Sequence, residues 1–527
     1  MSSAIYTVYN KRIQINTILF LLFILSYMTL IFLISSGKEF FQYDAETDYL
    51  GIFVPEAMQA LNGDPLELRF HPPLYPLVLA LVQFFVGDWL VAGLTISFLS
   101  AFVVLTCAFV FFSDICGRYA AWGAVVGLVG SVIFVRFSAT ASSDLFFLAL
   151  YFVCSVLAAK AILTRSATLW FLTGMIVACG LLARSNGLGL VFLLLVPWFC
   201  RESLKQRGIH FGCVIAGFLT PISAWLVYAT VTGSPFTPSG NVINLAMTYF
   251  SPTGSRADGD TIDAVRLQFG HMSVIDVLLY DPAHLIKTYL LDLGRLITWR
   301  LPELVQFPLD LFFLPGLAFL ILKSLNRYFA LFLLLAAGQV LLVNFKAFEP
   351  RYGMFLLPFM GAGAGELFRQ IVAAASGRVL KTIAAALLLL GAAAAGGTAL
   401  VKGNAAVHAQ DAELAEVLPI VEKEVRGDAV IVSRKPNLSH HVSVPGAIIP
   451  QVDTEQALNC FLWEQTEIGT VYLYYGSFEQ AKRPQFRALL LSDTPPPWLV
   501  KVAESAVRDR WVLYRYRPVG DGRGGPC

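Results

Sequence analysis

Charge is what this sequence has least of. Lys, Arg, Asp and Glu make up 14% of its 527 residues, against roughly 25% in ordinary soluble domains. Hydrophobic residues reach 57%. A chain so long and so poor in polar side chains cannot cover a water-facing globule, which excludes a soluble enzyme and leaves an integral membrane protein. Its eight cysteines contain no CxxC pair and no metal-ligand spacing, which removes zinc ribbons and thioredoxin-type redox motifs. Net charge is only +2 and no basic cluster or RNA-binding aromatic motif stands out, so no nucleic acid is expected as a partner. Internal repeats are also missing, and the one low-complexity stretch is an alanine-glycine run inside the last apolar segment.

What the chain does have is a series of long apolar runs. Lys11 and Arg12 precede an apolar run from Ile15 to Ser36, long enough for a hydrocarbon core of about 30 Å and too long for a signal-peptide core. Further runs lie near 89–112, 119–135, 145–163, 169–183, 186–200, 209–231, 307–322, 328–345, 352–368 and 379–401, about eleven transmembrane helices in all. Leu74–Val86 is apolar but short, and reads as re-entrant or packed on the bundle. Cys107, Cys116, Cys154, Cys179, Cys200 and Cys213 lie in or beside these runs, where cysteine behaves as a small hydrophobe. Only Cys460 and Cys527 fall in the polar tail, where a disulfide is one option.

Basic residues orient the map, because cytoplasmic turns carry an excess of Lys and Arg. With the N-terminus inside, the cytoplasmic turns hold Arg118, Arg165, Arg201, Lys205, Arg207, Lys323, Arg327, Arg369, Arg378 and Lys381. The short outer turns hold little beyond Arg136, Arg184, Lys346 and Arg351. The expected protein therefore sits in the plasma (inner) membrane with a cytoplasmic N-terminus and an extracytoplasmic tail. Residues 1–402 form the helical membrane domain, with long outer loops at 37–88 and 232–306. Within the second loop, His284–Trp299 carries apolar residues at helical spacing and suits an interfacial helix. Residues 403–527 have ordinary charge density, a helical run at Asp411–Val425 and strand-like runs at 428–433, 471–475 and 511–516. The fold class is thus a polytopic α-helical membrane protein with a small C-terminal α/β domain on the outer face.

Chemistry-bearing residues collect on that outer side. The first loop, Tyr43–Pro76, carries Asp44, Glu46, Asp48 and Glu56, then His71-Pro72-Pro73-Leu74-Tyr75-Pro76. Later outer turns add Asp144 in Ser142-Ser143-Asp144, Arg184, and then Lys346, Glu349, Arg351 and Tyr352. Carboxylates and guanidinium groups from four segments can meet in one bowl at the membrane surface. A carboxylate can act as general base on an acceptor hydroxyl, two can hold a divalent ion, and arginine pairs bidentately with phosphate. Plainer readings stand beside these. Asp48 also fits a solvated loop, Asp144 a helix cap, Arg184 and Arg351 interfacial snorkelling, and His71 the shaping of the following helix. His440-His441 in the tail reads as surface. A transporter or flippase of lipid-linked saccharides is the rival class, but it calls for ionisable residues near helix middles and two matched halves with broken helices.

An acidic first outer loop, then Ala60-Leu61-x-Gly63-Asp64, then His-Pro-Pro-Leu-Tyr-Pro, resembles the GT-C glycosyltransferases over roughly residues 10–370. The bacterial members grouped with protein O-mannosyltransferases and with the aminoarabinose and galacturonic acid transferases of lipid A and core are the nearest in pattern. Asp144 before Leu145, the Ala-Arg-Ser-Asn-Gly turn at Arg184 and the Arg351-Tyr352 pair also fit. The resemblance implies a polyprenyl-phosphate-linked sugar donor, an envelope glycan, lipid or protein acceptor, and inverting transfer. By position it makes Asp48 the catalytic carboxylate with Asp44 in reserve, and Asp144 the second acidic position. Arg351 becomes a lipid-phosphate contact, with Glu46, His71, Tyr75, Arg184, Lys346, Glu349 and Tyr352 around the substrate. A divalent ion, magnesium or manganese on Asp48 and Asp144, stays open.

Overall fold

Apolar length decides where this chain becomes helix, because a backbone without water must satisfy its own hydrogen bonds. The computed structural model describes residues 3–36, 38, 48–68, 70–238, 241–250, 265, 268–295, 304, 310–323, 331, 335, 338–340, 350–374, 377–408, 412–434, 437–450, 452, 454–505 and 510–518. By contacts these form two compact units. The first takes in Met1–Lys38, Gln59–Thr237 and Leu291–Val407; the second Glu39–Met58, Pro238–Leu290 and His408–Cys527.

The first unit is helical. Its helices are α1 (Ser3–Ser35), the end of α2 (Val54–Asn62), α3 (Leu74–Val86), α4 (Trp89–Cys116), α5 (Arg118–Val129), α6 (Val132–Ser138), α7 (Ser143–Thr164), α8 (Ala167–Ala183) and α9 (Leu204–Thr232). The second unit contributes α10 (Asn241–Phe250), α11 (Val274–Tyr280) and most of α12 (Pro282–Arg295), after which the first resumes with α13 (Asp310–Lys323), α14 (Leu357–Ala374) and α15 (Arg378–Val407). Among the described residues, five helices are long and apolar enough to cross a membrane: Ile18–Ser35 within α1, and α4, α7, α9 and α15. The pair α5 and α6, bent by 71°, passes the same test only when taken together, as a broken span or a re-entrant loop.

The expected count of about eleven is not reached among the described residues, for local reasons. The run near 328–345 lies mostly outside them. The run near 186–200 winds as a 3-10 helix, Ser185–Leu195, before one α-turn at Val196–Phe199. A 3-10 helix rises about 2.0 Å per residue instead of 1.5 Å, so this short segment still reaches roughly 28 Å. Leu74–Val86 is the short helix that the sequence suggests.

Glycine sets the closest helix approaches. A Cβ on Gly123 of α5 would lie 2.2 Å from the Gly361 carbonyl of α14, and one on Gly361 would lie 2.2 Å from the Gly123 carbonyl. Gly127 and Gly365 continue the same contact one turn away, a small-xxx-small interface in which packing rather than hydrophobicity holds two helices together. The same device joins α8 to α9, where Cβ atoms on Gly174 and Gly217 would each come within 1.9 Å of a facing carbonyl. Phe111, Phe112, Phe152 and Phe359, all fully or almost fully buried, fill the centre between α4, α7 and α14.

In the second unit, the C-terminal residues build α16 (Ala412–Glu424), β1 (Ala429–Ser433), α17 (Asn437–His441), β2 (Gly446–Ile448), α18 (Glu455–Glu464), β3 (Thr470–Tyr475), α19 (Ser477–Lys482), α20 (Arg487–Leu490), β4 (Leu499–Glu504) and β5 (Val512–Tyr516). Strand order is β2-β1-β3-β5-β4, with β1, β2 and β3 parallel and β5 and β4 antiparallel. Alternate residues of each strand feed opposite faces. Val430, Val432, Val471, Leu473 and Tyr514 pack with Leu458, Leu462, Phe486 and Leu490, while Ile431, Tyr472, Tyr474 and Leu513 pack with Leu414, Val417 and Val421 of α16. The result is a three-layer α/β arrangement, with the expected helix and three expected strands in place. Cys460 is disulfide-bonded; Cys527, the partner that the sequence offers, lies outside the described residues, and the six cysteines of the apolar segments are free thiols.

Candidate active site

In the first unit, four segments far apart in sequence meet at one end of the helices. Ser142 opens α7 and its Oγ accepts a hydrogen bond from the Asp144 N–H at 3.3 Å, while the Ser97 Oγ of α4 lies 3.4 Å from the Ser142 backbone. Since Ser142 supplies the cap, the Asp144 carboxylate is left for another partner. That partner is Arg184, at the junction of α8 and the 3-10 helix: its Nη1 lies 2.9 Å from Asp144 Oδ1 and donates to Ser143 Oγ at 2.7 Å. Asp144 is 6% and Arg184 8% exposed, so capping by Asp144 and snorkelling by Arg184 are both set aside.

Aromatic side chains enclose the pair. The Arg184 guanidinium stands 5.4 Å from the centroid of Tyr352, and Arg351 stands 5.1 Å from the same ring while donating to its hydroxyl at 3.3 Å. Cation–π contacts of this kind strengthen when desolvated. Tyr75, fully buried near the start of α3, lies within electrostatic reach of both Asp144 and Arg184. Arg351 and Tyr352 ride on the 3-10 turn Pro350–Leu356 that leads into α14, and the glycine contact with α5 holds that helix. Arg184 is placed by α8, which its own glycine contact fixes against α9. The His71 side chain is half-buried in the bend before α3.

Asp48 belongs to the second unit. It stands half-buried ahead of a π-helical turn, Tyr49–Phe53, that runs into α2, and its side chain makes no capping hydrogen bond. Wide turns of this type are frequent at functional sites. Glu56, two residues into α2, is 3% exposed; its burial singles it out where the sequence showed only one more acid. Asp44, Glu46, Lys346 and Glu349 lie outside the described residues.

The donor set does not suit a metal centred on Asp144, whose carboxylate already faces a guanidinium. Asp48 and Asp144 fall in different units. Among the described residues no three His, Cys, Asp or Glu side chains are grouped to hold an ion.

Comparison with solved structures places this architecture. ArnT from Cupriavidus metallidurans bound to undecaprenyl phosphate superposes with a TM-score of 0.58 at 13% identity, covering 95% of this chain and 97% of its own. Its apo state gives 0.55 at 13% identity with the same coverage. The chain shares the fold of that protein over almost its whole length. An oligosaccharyltransferase from Archaeoglobus fulgidus, in complex with zinc and sulfate, gives 0.51 at 10% identity over 87% of this chain and 70% of its own. No protein-family model and no curated protein matches the sequence.

The opposite end of α7 and α8 also carries buried charge, which a reading of those residues as orientation signals missed. His210 Nδ1 lies 2.9 Å from Glu202 Oε2, with both side chains almost fully buried, and Arg165 Nε lies 3.8 Å from Glu202 Oε1. The Gln206 amide nitrogen is 2.9 Å from His210 Nε2, and Arg207 donates to the Glu202 and Trp198 carbonyls.

Proposed function

We propose that this chain is an integral-membrane glycosyltransferase that moves a sugar from a polyprenyl-phosphate donor to an envelope lipid, polysaccharide or protein on the extracytoplasmic face. The observation that carries the reading is a GT-C fold over almost the whole chain with a buried guanidinium-aromatic cluster at one end of its helices. The neighbour bound to undecaprenyl phosphate supports the donor class.

In the proposed reaction, Asp48 takes the proton from the acceptor hydroxyl as its oxygen bonds to the anomeric carbon. The carbon–oxygen bond to phosphate breaks on the opposite side, which inverts configuration, and the polyprenyl phosphate leaves with its charge against Arg351. Arg184 adds positive potential, and Asp144 positions it by fixing one edge of its guanidinium. Tyr75, Tyr352 and His71 shape the pocket, and Asp44, Glu46, Lys346 and Glu349 are further candidates. Two observations support the outer placement of the C-terminal region. Parts of both long loops share its compact unit, and the disulfide at Cys460 suits an oxidising compartment.

Mass analysis of envelope glycolipids and glycans from cells with and without the protein tests this directly. The expected difference is one sugar residue on one class of molecule. Identical profiles would reject transfer, and accumulation of an unflipped lipid-linked saccharide would favour the transporter reading.

A further inference from the structure

The turn that joins the 3-10 helix to α9 carries more positive charge than its local structure calls for. Between Val196 and Gly212 stand Arg201, Lys205 and Arg207, and Glu202 is the one acid. That acid is turned inward: its side chain is 7% exposed, and its Oε2 lies 2.9 Å from Nδ1 of the fully buried His210. Arg207 closes the turn by donating to the Glu202 and Trp198 carbonyls. Arg201 and Lys205 stay exposed. Arg165, its Nε 3.8 Å from Glu202 Oε1, joins them from the end of α7 with its side chain 71% exposed. The surface of this turn is therefore cationic, because its one counter-charge is held by a buried partner.

Two of these cations sit where local rules disfavour them. Arg165 follows α7 with φ 54°, in the left-handed region where helices ordinarily place glycine. Lys205 lies in the first turn of α9, where the helix dipole favours an anion and opposes a cation. Positive charge kept against both preferences points to a negative ligand. The neighbouring apolar side chains say which kind. Trp198, Phe199, Leu204 and Ile209, from 39% to 73% exposed, flank the cations on the same turn. A free phosphate ion makes no use of such a rim. A phospholipid does, because its acyl chains lie beside its headgroup, and tryptophan next to Lys and Arg marks that level of a membrane.

We propose that Arg165, Arg201 and Lys205 hold the headgroup of an anionic phospholipid, at the end of α7 and α8 away from Arg184. The proposal does not depend on sugar transfer. In the test, the purified full chain is stripped of lipid in detergent and given phosphatidylglycerol or phosphatidylcholine, and bound lipid is counted by native mass spectrometry. Phosphatidylglycerol should bind saturably, and phosphatidylcholine should not compete. The double variant Arg165→Gln/Lys205→Gln should lower that binding at least tenfold and Arg201→Gln about fivefold, since each basic residue near an anionic surface is worth about fivefold. The charge-keeping variant Arg165→Lys/Lys205→Arg should bind as the parent does. So should Arg378→Gln/Lys381→Gln, at exposed basic positions on α15. The proposal is overturned if the two lipids are retained equally, or if none of the glutamine variants in the turn weakens binding. It is also overturned if the α15 variant loses as much, or if excess inorganic phosphate displaces the lipid.

Discussion

At one end of the α7–α8 hairpin Arg184 joins Asp144 and Ser143 beneath Tyr352; at the other, Glu202 joins His210 and Arg165. Both contain a buried ion pair, although Arg165 in the second is exposed, and the 22 residues of α7 set them about 33 Å apart along the helix. They differ in how far the chain travels to make them. Residues 165, 202, 206, 207 and 210 come from two neighbouring turns and bond one another, while Arg207 donates to the nearby Glu202 and Trp198 carbonyls. Residues 75, 144, 184 and 352 come from four segments, and the arginines there face aromatic rings. A local network stabilises a turn. A convergent one ties distant segments together, and in the proposed reaction it stands against the departing phosphate.

Removing one partner from either cluster separates these roles. Arg184→Ala should have the largest effect, because it strands the buried Asp144 charge at a cost of about 3–5 kcal/mol. Thermal unfolding in detergent should show that loss, and the double variant with Asp144→Ala should recover part of it. Next comes a buried carboxylate held by backbone N–H groups rather than a guanidinium. Glu479 accepts from the Arg434 and Gly476 N–H groups at 2.9 and 3.0 Å, yet burial pushes its pKa up to about 7, with Glu413 adding a smaller push. Between the usual value of 4.5 and about 7 the folded state binds more protons than the unfolded one. Stability of the C-terminal unit should therefore fall as pH rises through that window, by on the order of 3 kcal/mol, and level off above it. Hydrogen exchange in β1 and β3 measures this slope, and Glu479→Gln should flatten it.

Smaller effects sharpen the contrast. Arg351→Lys keeps the charge but loses the planar fork, so transfer should drop about tenfold with stability little changed. Glu202→Gln should lower stability by about 1 kcal/mol and leave transfer per folded molecule unaltered. A comparable loss of transfer in both variants would erase the distinction between the two ends.

Much of the helical frame was legible because apolar length is a composition signal: α1, α4, α7, α9 and α15 can be read directly from the chain. The bend between α5 and α6 was not, although the break falls at Gly130-Ser131, where the Ser131 hydroxyl donates to the Leu304 carbonyl at 2.9 Å. The 3-10 winding after Arg184 likewise has no periodic signature. Ser142-Ser143-Asp144 fits both a cap and a site, and only the geometry shows Ser142 capping while Asp144 turns to Arg184. Glu202 and His210 escaped notice because their turn also carries the basic residues that orient the chain. The extra residue Val502 in β4 is a register shift that alternation alone cannot disclose.

The most direct test of the central claim is sugar transfer by Asp48→Asn in membranes where the variant is inserted at parental levels. The account predicts at least a 100-fold loss, as expected when a general base is removed, with binding of the proposed polyprenyl-phosphate donor unchanged. Full transfer by that variant would contradict it.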